Sequence, residues 1–256
     1  MSHFIFAFTL SFCAGAASAV GGLCSFFIKK ENLSVLAIGL GFSAGVMLYV
    51  SFMEILPHAQ QALGHLYGAN PGQWLAVGLF FVGAAIAWCV DRCLPPLHVK
   101  EETLQQSAKL KQTGLFTALA LTLHNFPEGL ATFFSALDSV TLGFSIALAV
   151  AIHNIPEGIA VALPIYHATG SRKKAFWASA ASGMAEPVGA IVGYLILHAV
   201  LQEAVLGILF AVVAGIMVYL ALDELLPTAH DYGHEHQVIS GVLGGMVLMA
   251  LVLLIF

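Results

Sequence analysis

Apolar runs of about 20 residues or more recur along this chain, at roughly 3–28, 33–57, 73–94, 113–137, 141–167, 174–198, 204–227 and 237–256. Each is long enough to cross the ~30 Å hydrocarbon core of a bilayer as a helix. Of the 256 residues 59% are hydrophobic and 9% charged, and the mean hydropathy is +0.92, so there is too little polar surface to cover a water-soluble globule. The expected fold is an all-α polytopic membrane protein with eight transmembrane helices in a single domain over 1–256, and the lipid bilayer is its solvent. The same figures exclude disorder, while nine Lys+Arg against fourteen Asp+Glu give a net charge of −5 and no basic face for nucleic acid.

The polar residues orient these runs. Asn70-Pro71-Gly72, Pro95-Pro96, Asp138-Ser139 and Thr169-Gly170-Ser171 interrupt the hydropathy with turn formers. Lys29 and Lys30 follow the first run, Arg92, Lys100, Lys109 and Lys111 the third, and Arg172, Lys173 and Lys174 the fifth. Eight alternating spans put those three connections on one face, which the positive-inside rule makes cytoplasmic, with both termini external. Ala17-Ser18-Ala19 has the small residues of a leader cleavage site, but no Lys or Arg precedes it, so the first run reads as a retained span. The stretch 95–112 reads as a mobile cytoplasmic loop, and His98 alone is thin support for metal sensing there. Cys13, Cys24, Cys89 and Cys93 form no Cys-x-x-Cys pair and read as small apolar fillers.

One hexapeptide occurs twice, as His124-Asn125-Phe126-Pro127-Glu128-Gly129 and His153-Asn154-Ile155-Pro156-Glu157-Gly158. His, Asn and Glu are costly at membrane depth, and the same set in adjacent helices points to a joint site. With a turn near Ser139 and a rise of ~1.5 Å per residue, His124, Glu128, His153 and Glu157 stand roughly 23, 17, 21 and 27 Å from the turn plane. In each helix His and Glu are spaced i, i+4 on one face, so the two faces can converge. Pro127 and Pro156 free the carbonyls of Leu123 and Ile152 beside these ligands, and Gly129 and Gly158 permit close helix approach. Imidazoles, carboxylates and amide oxygens form a mixed N/O set suited to Zn²⁺ and Fe²⁺, with Mn²⁺, Co²⁺ and Cd²⁺ also accommodated, and bridging carboxylates would allow two adjacent metals. Without thiolates the set does not suit Cu(I).

Glu186, in Gly183-Met184-Ala185-Glu186-Pro187 near the middle of the sixth run, reads as a third helix's contribution to the same site. A weaker repeat pairs Met53-Glu54-Ile55-Leu56-Pro57 with Asp223-Glu224-Leu225-Leu226-Pro227, related by inversion in the assigned topology. Glu54 and His58 would lie near the external mouth, and Asp223, Glu224, His230, Asp231, His234, Glu235 and His236 near the cytoplasmic one. Met47, deeper in the second run, reads as a core residue.

With the doubled His-Asn-x-Pro-Glu-Gly motif flanked by Met-Glu-Ile-Leu-Pro and Asp-Glu-Leu-Leu-Pro, the chain resembles the bacterial ZIP-family divalent metal transporters over essentially its whole length. The resemblance implies eight helices in a 3+2+3 inverted-repeat arrangement that move zinc and other divalent cations across the cytoplasmic membrane toward the cytoplasm. It also implies two metals, one at His124, Glu128, His153 and Glu157 and the other at Asn125, Glu128, Asn154, Glu157 and Glu186, with no catalytic cofactor. A homodimer is one assembly open to such a chain. The rival reading is an intramembrane metal-dependent enzyme, but a metalloprotease would show His-Glu-x-x-His, and His234-Glu235-His236-Gln237 lacks the second His at i+4.

Overall fold

The computed structural model describes residues 2–29, 32–93, 102–138, 140–197 and 203–255. All regular structure among them is helical, as lipid requires of a backbone that must satisfy its own N–H and C=O groups. In chain order the helices are α1 (Ser2–Leu23), α2 (Leu33–Val50), α3 (Leu56–Tyr67), α4 (Ala69–Cys93), α5 (Glu102–Asp138), α6 (Val140–Thr169), α7 (Arg172–Gly183), α8 (Ala185–Val192), α9 (Glu203–Tyr219), α10 (Leu226–Tyr232) and α11 (Glu235–Ile255). Six continuous stretches, His3–Phe26, Leu33–Tyr67, Ala69–Arg92, Ile146–Thr169, Gly207–Tyr232 and Glu235–Ile255, are long and apolar enough to cross a membrane. The chain is therefore an all-helical, multi-pass membrane protein. Residues 113–137, and 174–197 apart from a break at Met184, are also helical but are not among those six.

Several boundaries differ from the sequence expectation. The polar stretch expected as a loop is helical from Glu102 onward, because Leu, Gln, Lys and Ala in Glu102–Gln112 are strong helix formers whatever their polarity. Pro95, Pro96, His98 and Lys100 lie outside the described residues. Asn70-Pro71-Gly72 is not the turn itself but the first turn of α4, where the N–H that proline lacks has no helical partner anyway. The turn at Thr169-Gly170-Ser171 is present. Gly170 adopts φ 67°, and the Ser171 hydroxyl accepts from Lys174 N–H at 3.3 Å to start α7. The second run does not stop at Pro57 but continues through a π-helical turn, Ser51–Ile55, into α3, and Leu220–Leu225 is the corresponding π-helical turn between α9 and α10. Both repeated Glu-x-Leu-Pro segments thus sit where a proline deprives the preceding turn of a donor and the helix widens.

Two packing groups result. In one, α1 packs against α5, α6, α7 and α8, and α5 against α6. In the other, α2 packs on α11 and α10, while α3, α4 and α9 pack on one another. Between them, α2 meets α6, where Ser43 Oγ donates to the Pro156 carbonyl at 2.6 Å, and α5 meets α9. At one end of the bundle Arg172 Nε donates to the Ser25 carbonyl at 3.3 Å, joining the end of the first run to the connection after the fifth. Lys109 Nζ pairs with Asp231 Oδ2 at 2.5 Å, joining those after the third and seventh.

The hexapeptide glycines act as anticipated. A Cβ on Gly129 would stand 2.5 Å from Glu186 Cα, and one on Gly158 2.7 Å from Ser179 Oγ. Gly78, on α4, has nothing within 4 Å of its Cβ position. Gly129→Ala is therefore expected to destabilise the purified protein by about 1–3 kcal/mol through overpacking, whereas Gly78→Ala leaves stability unchanged or raised by up to ~1 kcal/mol. Unfolding in detergent micelles measures both.

Candidate metal centre

Every residue singled out from the hexapeptides and the sixth run is buried, with between 0 and 8% of its surface exposed: His124, Asn125 and Glu128 on α5, His153, Asn154 and Glu157 on α6, and Glu186 on α8. Helical spacing explains how each trio shares one broad face, since the Glu stands four positions after the His and three after the Asn. Glu186 arrives differently. The sixth run breaks at Met184, between α7 and α8, so the carboxylate stands in the first turn of a new helix ahead of Pro187.

The two repeats meet through their unlike members. His153 Nε2 and Glu128 Oε1 share a hydrogen bond of 2.5 Å across the helix pair. His124 Nε2 lies 3.3 Å from Glu128 Oε2 on its own helix and 3.5 Å from Glu157 Oε1 on the other. A Zn²⁺ ion held tetrahedrally by N and O at 2.0–2.2 Å separates its ligand atoms by roughly 3.3–3.6 Å, so the two longer contacts have the edge length of such a polyhedron. The His153–Glu128 hydrogen bond is shorter than that edge. Ligand atoms of His124, Glu128 and His153 all lie within 4.8 Å of one another, and Glu157 joins them through His124.

Both asparagines use their amide N–H groups on protein. Asn125 Nδ2 donates to the Ser182 carbonyl at 3.2 Å, beside the break in the sixth run. Asn154 Nδ2 donates to the Ala14 carbonyl at 2.9 Å and to Glu186 Oε1. The Oδ1 atoms of Asn125 and Asn154, Glu128 Oε2, both Glu157 oxygens and Glu186 Oε2 are buried without a hydrogen-bond partner among the described residues. A buried acceptor left unpaired costs about 1–3 kcal/mol, and these acceptors are concentrated in one place. With the donors spent on backbone carbonyls and the lone pairs left over, the chemistry that fits is a cation with oxygen and imidazole ligands.

Two further acidic groups stand out, one near this centre and one apart from it. Glu54 was placed at an outer mouth, but it lies within electrostatic reach of His153 and Glu128, with Oε2 buried and lacking a hydrogen-bond partner among the described residues. The π-helical turn that carries it turns a helix-end residue inward, which residue spacing alone does not reveal. Asp91, near the end of α4, is not among the residues that the sequence motifs single out. It meets Asp223 and Glu224, all offering ligand atoms within 4.8 Å, and Tyr219 Oη donates to Asp223 Oδ2 at 2.8 Å. Met47 is fully buried in the apolar core, as its sequence setting suggested. His58, His230, His234, Glu235 and His236 are exposed, and His230 Nδ1 bonds the Leu226 carbonyl at 2.8 Å.

Comparison with known proteins adds an independent line. Residues 95–253 match the family model described as ZIP Zinc transporter. The zinc transporter ZupT of Chlorobaculum parvum is 51% identical over 98% of this chain and 98% of its own length. The ZupT zinc transporter of Clostridium perfringens is 47% identical over 100% and 98%, and that of Campylobacter jejuni 49% over 96% and 94%. These relatives are named as transporters rather than enzymes. Agreement of this extent, from one end of the chain to the other, places it in the ZIP family.

Proposed function

We propose that this chain carries zinc and other divalent transition-metal cations across the cytoplasmic membrane into the cell, through a site at the bilayer midplane built from both hexapeptides. The observation that carries the proposal is the concentration of unpaired buried acceptors around His124, Glu128, His153 and Glu157. A carboxylate and an imidazole at ligand spacing in lipid are costly for structure alone and useful for a passing cation. In this reading two metals sit side by side, one held by His124, Glu128, His153 and Glu157 and the other by Asn125, Glu128, Asn154, Glu157 and Glu186. Glu128 and Glu157 belong to both. Zn²⁺ is the principal cargo, with Fe²⁺, Mn²⁺, Co²⁺ and Cd²⁺ admitted by the same N/O set.

The proposed architecture has eight spans, 3+2+3 with an inverted repeat, as one domain over 1–256 in the inner membrane of a bacterium, with both termini external. Two bonds support that topology: Lys109 to Asp231 joins connections that alternation assigns to the same side, and Arg172 to Ser25 joins the connection after the fifth run to the end of the first run that alternation puts on that side. The two π-helical turns before Pro57 and Pro227 support the inverted pairing. A homodimer is the proposed assembly, and the Asp91–Asp223–Glu224 group lies toward the cytoplasmic end of the path.

Glu128→Ala or Glu157→Ala is expected to cut uptake of every metal by at least about tenfold, measured as metal accumulation in cells at equal membrane abundance. Normal uptake by either variant contradicts a shared site. Glu186→Ala, which removes a harder oxygen ligand, is expected to change the ratio of Zn²⁺ to Mn²⁺ uptake, and a uniform loss for both ions contradicts that role. For orientation, single cysteines are placed in a background lacking the native four. An impermeant thiol reagent applied to intact cells is expected to label Gln61→Cys and to leave Lys173→Cys unmodified. The reverse pattern contradicts the orientation.

A further inference from the structure

We infer that the end of the bundle carrying Lys29 and Arg172 holds an anionic phospholipid, with one acyl chain in a groove between α2, α6 and the segment that follows α1. The groove, about 300 Å³, is lined by Ile28, Val35, Ile38, Phe42, Ile159 and Leu163, with Cys24 and Gly39 completing it. Its lining carries no charged side chain. Ile38 is 42% exposed, so the groove opens on the membrane side of the helices rather than toward the polar centre. Along α2 it runs from Val35 to Phe42, roughly 10 Å at ~1.5 Å per residue, within the ~15 Å half-thickness of the hydrocarbon core.

The charge at its mouth selects the headgroup. Ile28 is followed directly by the exposed Lys29. Arg172 Nε donates to the carbonyl of Ser25, next to the lining residue Cys24, at 3.3 Å, and its guanidinium carbon lies 5.6 Å from the centroid of Tyr166, one turn beyond the lining residue Leu163. The arginine is thus anchored at the end of the groove, and no other hydrogen-bond partner for it occurs among the described residues, which leaves its Nη groups for a phosphate. Nearby aromatics set the depth. Trp177 is 67% and Phe27 88% exposed, and Phe176 stacks edge-on with both Phe26 and Trp177, at 6.4 and 5.3 Å. Such rings lie at the headgroup boundary, the level at which Lys29 and Arg172 stand. Basic pockets between membrane helices bind anionic headgroups, and here the pocket continues into a slot for the attached chain. Because α2 belongs to one packing group and α6 to the other, the lipid would touch both.

Photo-labelling tests this on the full chain in vesicles of phosphatidylcholine with phosphatidylglycerol. A phosphatidylglycerol with a diazirine on one acyl chain is expected to label residues 35–42 and 159–163 preferentially. Unlabelled phosphatidylglycerol is expected to compete, and phosphatidylcholine is not. Removing one positive charge with Arg172→Gln is expected to weaken labelling about fivefold, and Lys29→Gln to act in the same direction. Ile38→Trp, which fills the slot and leaves the charges in place, is expected to abolish labelling there while metal uptake continues. Equal labelling by the choline lipid, or equal labelling along the outer faces of α4 and α11, overturns the inference. Neither outcome depends on whether the protein transports metal.

Discussion

Unpaired hydrogen-bond acceptors in a medium without water are the constraint around which this molecule is arranged. Lipid offers nothing to a carboxylate, so groups such as Glu128, Glu157 and Glu186 must find partners inside the bundle. The protein answers only in part. It supplies one hydrogen bond from His153 to Glu128, one from Asn154 to Glu186, and backbone acceptors that occupy the asparagine N–H groups. What remains is a pocket of lone pairs at ligand spacing, and a divalent cation is the species that satisfies them together.

The backbone around that pocket follows from the same need. Three helices must come close enough for short side chains to meet, and the glycine that follows each hexapeptide glutamate makes this possible by letting another helix's backbone occupy the place of a Cβ. Pro127, Pro156 and Pro187 and the π-helical turns at Ser51–Ile55 and Leu220–Leu225 occur beside polar residues, where the carbonyls that an interrupted helix exposes line polar ground. Asn125 reaching the carbonyl of Ser182, beside the break at Met184, is one such repair.

Much of this could be read from residue order. The doubled hexapeptide identified six buried residues, and the rule that lone carboxylates are costly in lipid added Glu186. All seven are buried; His124, Glu128, His153 and Glu157 meet one another, Asn154 bonds Glu186, and Asn125 bonds the Ser182 carbonyl. Helix content followed from hydropathy, but helix ends did not: Glu102–Gln112 is polar enough to suggest a loop and yet helical by propensity. Glu54 has Oε2 buried in the π-helical turn Ser51–Ile55, a local widening that residue spacing does not reveal. Asp91 went unnoticed because its partners Asp223 and Glu224 are far away in sequence, and only packing of α4 on α9 brings them together.

The central claim is that the two hexapeptides jointly hold divalent cations with nitrogen and oxygen ligands. X-ray absorption at the zinc edge, on purified protein loaded with Zn²⁺, tests it most directly. The account predicts a first shell of N and O at about 2.0–2.2 Å, with the outer-shell scattering of two imidazoles, one of which disappears in His124→Ala and the other in His153→Ala. A sulfur shell at about 2.3 Å, or a spectrum that neither substitution changes, would contradict it.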